Sequence, residues 1–555
     1  MRKYLSLLLV FVMIMSVMTG CGSKTEVTDT NNVIEVTPND GSNILNPIPE
    51  DEYEGVEISL ADSNITVDGV AISEDETSAV YKANDIVYYE EGKDITYGEG
   101  TESDAHSKEV ADAHTVIHIT EPGQYILSGN LSKGQIAVDL GKEAKEDPNA
   151  VVTLVLKQVN ITCEVAPAII FYNVYECGIV DEEKATKDVD TSNAGANIIV
   201  SDDTFNIING SYVARIYKPD SVELNPEGTE VVEAKKLHKY DGAVYSKMSM
   251  NVNGGSAGTG ILVINAENEG LDTELHLTIN GGCIQIESGN DGINTNEDNV
   301  SVTTINGGTL SIIVNGNTGE GDGIDSNGWL VINGGTVYTQ ACSTSMDAGI
   351  DSDRGIHING GRVLAYGNML DRIADSEQGF VVFNFADRQM PGEYMIKDSN
   401  DNSVILYNVT NEFTYMLVSN TNLVEGEYTL WYGEQQYKGA ASAEMGNMMP
   451  PMGGEMPKDF DPSKMNGERP EGMPENFNGN FENMPKGFDP SKMNGDFTPP
   501  EGGFKGEFPG NNPGGDFGSG PKGPNGNMPN QALEYSEIFK IVEGANYFVG
   551  VTAIN

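Results

Sequence analysis

Through the middle of the chain, short apolar runs alternate with polar turns at an almost fixed interval. Asn-Gly-Gly stands at Asn253, Asn280, Asn306, Asn333 and Asn359, so successive copies lie 27, 26, 27 and 26 residues apart. Strand-like residues flank each copy, as in Leu275-His276-Leu277-Thr278-Ile279 before the second and Cys283-Ile284-Gln285-Ile286 after it. The runs alternate or are β-branched, and no helical periodicity is present. Asn tolerates the left-handed region and Gly enters it freely, so the phrase is a bend between two strands. A second phrase occurs once per repeat: Glu269-Gly270-Leu271-Asp272, Asp291-Gly292-Ile293-Asn294, Asp322-Gly323-Ile324-Asp325 and Ala348-Gly349-Ile350-Asp351. Asp241-Gly242-Ala243-Val244 is a weaker earlier copy. Each repeat therefore reads as about three short strands separated by two sharp bends.

A fixed period of this length signals a repeat architecture. The Leu-x-x-Leu-x-Leu frame of leucine-rich repeats is missing, propeller blades need a longer repeat, and calcium-binding nonapeptide arrays need a shorter one. The pattern predicts an all-β fold, a right-handed parallel β-helix solenoid with one coil per repeat. Coils about 4.8 Å apart stack like residues into ladders.

Stacking makes the second phrase a row of acids and amides. Asp272, Asn294, Asp325 and Asp351 fall in one outward column, and Glu274, Asn296, Asn327 and Asp353 in the next. Asp291, Asp322 and Asp347 stand nearby, while Ile293, Ile324 and Ile350 point inward between the columns. Two carboxylates about 5 Å apart repel by roughly 3 kcal/mol at an effective dielectric of 20. Protonation, solvent or a hard cation relieves that repulsion, and calcium accepts carboxylate, amide and carbonyl oxygens. The candidate calcium ligands are Asp272, Asp291, Asn294, Asp322, Asp325, Asp347, Asp351 and Asp353. The alternative is a solvated acidic face with ordinary turn chemistry.

The chain ends read differently. Arg2 and Lys3 precede an apolar stretch, Leu5 to Val17, too short to span a bilayer permanently, and Met18-Thr19-Gly20-Cys21 reads as a lipobox. Residues 1–21 are expected to be a lipoprotein signal with Cys21 lipidated, placing the protein on the extracellular face of the cell membrane. Residues 22–55 read as a flexible tether and 56–443 as the repeat domain. Residues 444–530 are rich in Gly, Pro, Asn, Met and Phe and contain no Val, Ile, Leu, Tyr or Trp. Such a segment is expected to be a disordered insertion, with residues 531–555 supplying closing strands. Ile538–Val542 and Tyr547–Val551 are expected to pair near Tyr415–Val418 and Tyr428–Trp431.

Losing Arg2 and Lys3 with the leader takes the formal net charge from −52 to −54. That argues against nucleic acid as a partner, because phosphate binding needs a positive footprint. The cysteines after Cys21 (Cys163, Cys177, Cys283 and Cys342) are too sparse for a disulfide scaffold and are expected as free thiols in or near the core.

Further stretches resemble a known family. Pro122-Gly123-Gln124-Tyr125-Ile126-Leu127-Ser128-Gly129-Asn130-Leu131, Val152 to Thr162, Pro167-Ala168-Ile169 and Leu423 to Leu430 join the Asp-Gly-Ile and Asn-Gly-Gly coils in this. Together they are similar to a bacterial extracellular carbohydrate-binding domain family, common in clostridia, with a pectate-lyase-like β-helix. The resemblance covers residues 56–440 and the last strands. It implies binding of cellulose-like or acidic galacturonan-like polysaccharide with calcium on the helix, and no demonstrated catalytic site. Residues 174–240 depart from it with polar, charged sequence where the family has a compact turn.

The leading expectation is therefore a monomeric, lipid-anchored polysaccharide binder, with Trp329, Tyr338 and Tyr366 as candidate rings for stacking on sugars. One alternative is a calcium-dependent polysaccharide lyase. Such chemistry needs a cation beside the uronate and a base, and Arg354 and Arg372 follow the acidic cluster. No catalytic residue is assigned. The other alternative is an adhesive protein that binds another protein through residues 444–530.

Overall fold

The computed structural model describes residues 53–442 and 533–554. Cys21, the leader, most of the tether and the 444–530 segment lie outside the described residues. The described chain is nearly all strand, with a 26-stranded sheet, an 8-stranded sheet and two small hairpins. One five-residue helix, Lys108–Asp112, is capped by the Ser107 hydroxyl.

The repeats contribute up to three strands each, and these pair in parallel with their counterparts one repeat on. Met250–Gly254, Leu277–Ile279, Val302–Ile305, Trp329–Ile332 and Gly355–Ile358 form the first ladder. Ile261–Ala266, Cys283–Ser288, Thr309–Val314, Thr336–Gln340 and Arg362–Gly367 form the second. Gly242–Ser246, Glu269–Thr273, Ile293–Thr295 and Ile324–Ser326 form the third, inside the 8-stranded sheet.

Asn-Gly-Gly links the first strand to the second. The last glycine has φ of +88° at Gly282, +82° at Gly308, +79° at Gly335 and +85° at Gly361. A Cβ on Gly308 would sit 2.6 Å from the Gly282 carbonyl oxygen, so a side chain is excluded by contact as well as by φ. The asparagines stack into an amide ladder. Each Nδ2 donates to the Oδ1 of the preceding copy, at 2.9, 2.8, 2.9 and 2.9 Å from Asn280 to Asn359.

Every coil points aliphatics inward. Leu271, Ile293 and Ile324 from the third ladder and Leu277, Leu330 and Ile356 from the first are fully buried in one continuous core. Burying one such side chain stabilises by roughly 1.5–3 kcal/mol, so the repeat period is enforced by the core. Cys163, Cys177 and Cys342 are free as expected, and Cys283 is buried in the core.

A second core closes the described chain. Phe539–Ile541 pairs with Gly426–Tyr432, as the sequence suggests. Ala545–Ala553 instead pairs with Phe380–Gln389 and Gln435–Ser442, because Phe380–Gln389 stands between it and Phe413–Asn420.

The 174–240 departure resolves into two parts. Ala196–Val200 and Phe205–Gly210 join the first and second ladders as a further coil. Val213–Tyr217 and Lys236–Tyr240 then pair as an antiparallel arm that carries the chain directly into Asp241 and the third ladder.

Candidate metal centre

The third ladder sets the acids in the anticipated register. Tyr245, Asp272, Asn294 and Asp325 are successive partners across four strands. Asp351 lies past the last strand but continues the column, its amide donating to the Ile324 carbonyl at 2.7 Å. Asn296, Asn327 and Asp353 donate in turn to the carbonyls of Thr273, Thr295 and Ser326, so the second column also holds.

Three carboxylates converge at one end of this row. Asp241, Glu269 and Asp272 each bring an oxygen within 4.8 Å of the others, and no other trio of His, Cys, Asp or Glu among the described residues does so. They are 7%, 5% and 0% exposed. The backbone fixes them there. The Glu269 amide donates to the Asp241 carbonyl at 3.1 Å. Gly242 lets the strands close up, since a Cβ on it would meet the Asp272 Cβ at 2.5 Å.

Their hydrogen bonds are incomplete. Lys239 Nζ lies 2.6 Å from Asp241 Oδ2. Asn294 Nδ2 donates to Glu269 Oε1 at 3.1 Å, and Asn296 Nδ2 donates to Asp272 Oδ1. Glu269 Oε2, Asp272 Oδ2 and Asn294 Oδ1 are buried with no partner. A buried acceptor left unpaired costs about 1–3 kcal/mol, more when charged. Burial, and then the neighbouring carboxylates, push the Glu269 and Asp272 carboxyls well above their usual range. Burial raises Asp241 too, opposed by the Lys239 ammonium.

The donor set of three carboxylates, all hard and nearly dry, fits calcium, which prefers such oxygens. A cleft of about 280 Å³ opens beside it, lined by Lys236, Lys239, Asp241, Glu274, Asn296, Glu297 and Asp298. Glu274 accepts from Lys236 at 3.0 Å and from the Tyr245 hydroxyl at 2.6 Å.

Of the ligands expected from sequence, only Asp272 sits in this cluster, and Asn294 touches it through its Nδ2. Asp241 and Glu269 were not among the expected ligands. Both occupy the first position of the Asp-Gly phrase, where they look like turn residues, and only stacking brings that position beside Asp272. The other acids are used differently. Asp291 Oδ1 accepts the Asp322 amide, Asp322 Oδ1 the Ala348 amide, and Asp347 Oδ2 the Gly321 amide and the Ser345 hydroxyl. Asp325, Asp351 and Asp353 lie in a separate acidic group with Asp371, which the sequence did not single out. Burial, reinforced by these neighbours, raises Asp325 to about 6 and Asp351 to about 7, and raises Asp353. Burial likewise lifts Asp291 to about 8 and Asp322 to about 9.

The aromatic candidates divide. Trp329 is half-buried with the Arg354 guanidinium 4.8 Å over its ring, and Arg354 also donates to the Asn299 carbonyl at 3.0 Å. Tyr338 stacks on Tyr407 at 4.6 Å and packs against the second core. Tyr366 is 1% exposed, stacked on Tyr407 and edge-on to Phe413. It is a core residue with no ring face open to a sugar, because its strand position faces the second core.

A family model described as carbohydrate-binding domain-containing protein matches residues 113–375, which include the whole cluster. No curated protein matches the chain. Among solved structures the chain is similar, at 18% identity and a TM-score of 0.31, to a polysaccharide lyase-like protein from C. thermocellum, determined as a gadolinium derivative. That match covers 58% of this chain and 93% of the other. At that similarity no ligand or reaction is carried over from it.

Proposed function

We propose that this chain is a cell-surface polysaccharide-binding protein, anchored through lipidated Cys21, that holds calcium in the Asp241, Glu269 and Asp272 cluster. The observation that carries the cation is the pair of buried, unpartnered oxygens on Glu269 and Asp272, within a trio of converging carboxylates. The family match over residues 113–375 supports polysaccharide as the ligand class. The three in-register parallel ladders support a right-handed parallel β-helix as their winding, whose long flat face suits a polymer. Calcium bound there would neutralise most of the cluster's charge beside the cleft and offer its remaining coordination positions to the carboxylates of an acidic polymer. Asp241, Glu269 and Asp272 hold the ion, Asn294 orients Glu269, and Asn296 orients Asp272. Trp329 is the aromatic candidate for contact with a sugar ring.

The reading is non-catalytic. Arg354, one candidate base of the lyase alternative, is engaged by Trp329 and the Asn299 carbonyl, and an arginine stays protonated at neutral pH. The test is retention of the mature chain on insoluble cellulose and on polygalacturonate, with calcium and with a chelator. Absorbance of unsaturated uronate products is followed in parallel. Calcium-dependent retention on polygalacturonate without product is expected. Product formation would establish the lyase, and no retention on either polymer would overturn the ligand class.

A further inference from the structure

The cleft beside the cluster carries two lysines, and one of them is tied to a cluster carboxylate. We propose that Lys239 is a displaceable internal counter-ion, expelled by a divalent cation and thereby made available to a carboxylate of an acidic polymer. The inference rests on the cation reading of the Asp241, Glu269 and Asp272 cluster and adds its regulation.

Lys239 reaches the site from outside the repeat. It sits on the antiparallel arm formed by Val213–Tyr217 and Lys236–Tyr240, whose pairing is irregular. Its ammonium lies 2.6 Å from Asp241 Oδ2, and its side chain is 41% exposed while that of Asp241 is 10% exposed. The positive charge thus covers the cluster from the solvent side, at the wall of the cleft. Three partly used carboxylates lie behind it, on Asp241, Glu269 and Asp272.

A divalent cation drawn into those donors takes over Asp241, the partner of Lys239, and repels the ammonium a few ångströms away. The lysine stem is flexible and can move its charge without backbone change. The direction open to it is the cleft, where Lys236 already stands, paired with Glu274. The other carboxylates on the cleft wall are Glu297 and Asp298, both exposed. Without the cation, Lys239 is spent on Asp241 and these acids repel a polyanion. With it, most of the cluster's charge is neutralised and the released ammonium attracts one. The device predicts that cation and acidic polymer bind cooperatively, whereas a neutral polymer is indifferent to both.

The test compares the mature chain with Lys239→Met and Lys239→Arg, by calcium titration calorimetry and by polygalacturonate affinity at saturating calcium. Cellulose retention and the melting transition serve as folding controls. Lys239→Met should bind calcium about tenfold more tightly, because a competing charge is gone, yet bind polygalacturonate about tenfold more weakly. Lys239→Arg should stay close to wild type in both. If Lys239→Met weakens calcium binding, or shifts both affinities in the same direction, or neither, the counter-ion role is overturned. If the wild type takes up no calcium at all, the cation reading itself has failed. Wild-type calcium binding without the opposed shifts defeats only the role of Lys239.

Discussion

Replacing Asp272 by Asn should stabilise the calcium-free protein and abolish its response to calcium. Asp272 is fully buried, with Oδ1 accepting from Asn296 and Oδ2 unpartnered, and its carboxylate lies within 4.8 Å of those of Asp241 and Glu269. Two ionised carboxylates at that distance repel by about 3 kcal/mol at an effective dielectric of 20. Part of this is relieved by proton uptake, which itself costs about 1.4 kcal/mol per unit of pKa shift. An Asn keeps the acceptor that Asn296 needs and presents a neutral donor to its acidic neighbours. A gain of about 1–3 kcal/mol in chelator is expected. In the wild type, calcium at 100 times its Kd should add about 2.7 kcal/mol, and in the variant almost nothing. Thermal unfolding followed by circular dichroism reads both. The variant should melt above wild type in chelator, and the order should narrow or invert in calcium. A variant that melts lower in both conditions, or shows the wild-type calcium shift, would refute the assignment of Asp272 as a ligand in a strained acidic cluster.

The acids outside the cluster make calcium-free stability depend on pH with a definite sign. Asp325, Asp351, Asp291 and Asp322 hold their protons up to about 6, 7, 8 and 9 in the folded state, against about 3.9 unfolded. Their contribution is complete below pH ~4 and is lost as the pH rises through those values, so chelated protein should melt lower at pH 9 than at pH 5; a rise over that window would contradict the burial of these groups. Asn306→Ala removes a donor to Asn280 and an acceptor for Asn333 on an exposed ladder, and should cost about 1 kcal/mol, read as faster amide exchange in the flanking strands. Tyr366→Phe deletes a buried, unpartnered hydroxyl and should leave stability and polysaccharide retention unchanged or better, while Trp329→Ala should lower retention; loss of retention in Tyr366→Phe alone would reverse the two roles.

The repeat was legible because period and burial are set by the same residues. Ile293 and Ile324 read as inward in the sequence and are fully buried, and the outward column of Asp272, Asn294 and Asp325 is in register. The asparagine ladder follows from the same spacing, since equal intervals bring equal side chains to the same corner. The cluster was only half legible. Whether a stacked carboxylate binds an ion or caps a backbone amide depends on where the next coil puts its N–H groups. Asp291, Asp322 and Asp347 meet amides and Glu269 does not, a difference decided by loop paths between coils. Lys239 was invisible for another reason. It arrives on an arm that breaks the period, and no repeat places it. Tyr366 misled because the pattern after Asn-Gly-Gly alternates in and out, while the second core, built from distant strands, covers what would have been its open face.

The cation role of the cluster stands or falls on retention of residues 22–555 on polygalacturonate, wild type beside Glu269→Gln, in calcium and in chelator. The wild type should be retained only with calcium, and Glu269→Gln, folded by its melting transition, should be retained in neither condition. Equal retention of the wild type in chelator, or calcium-dependent retention of Glu269→Gln at wild-type strength, would contradict it.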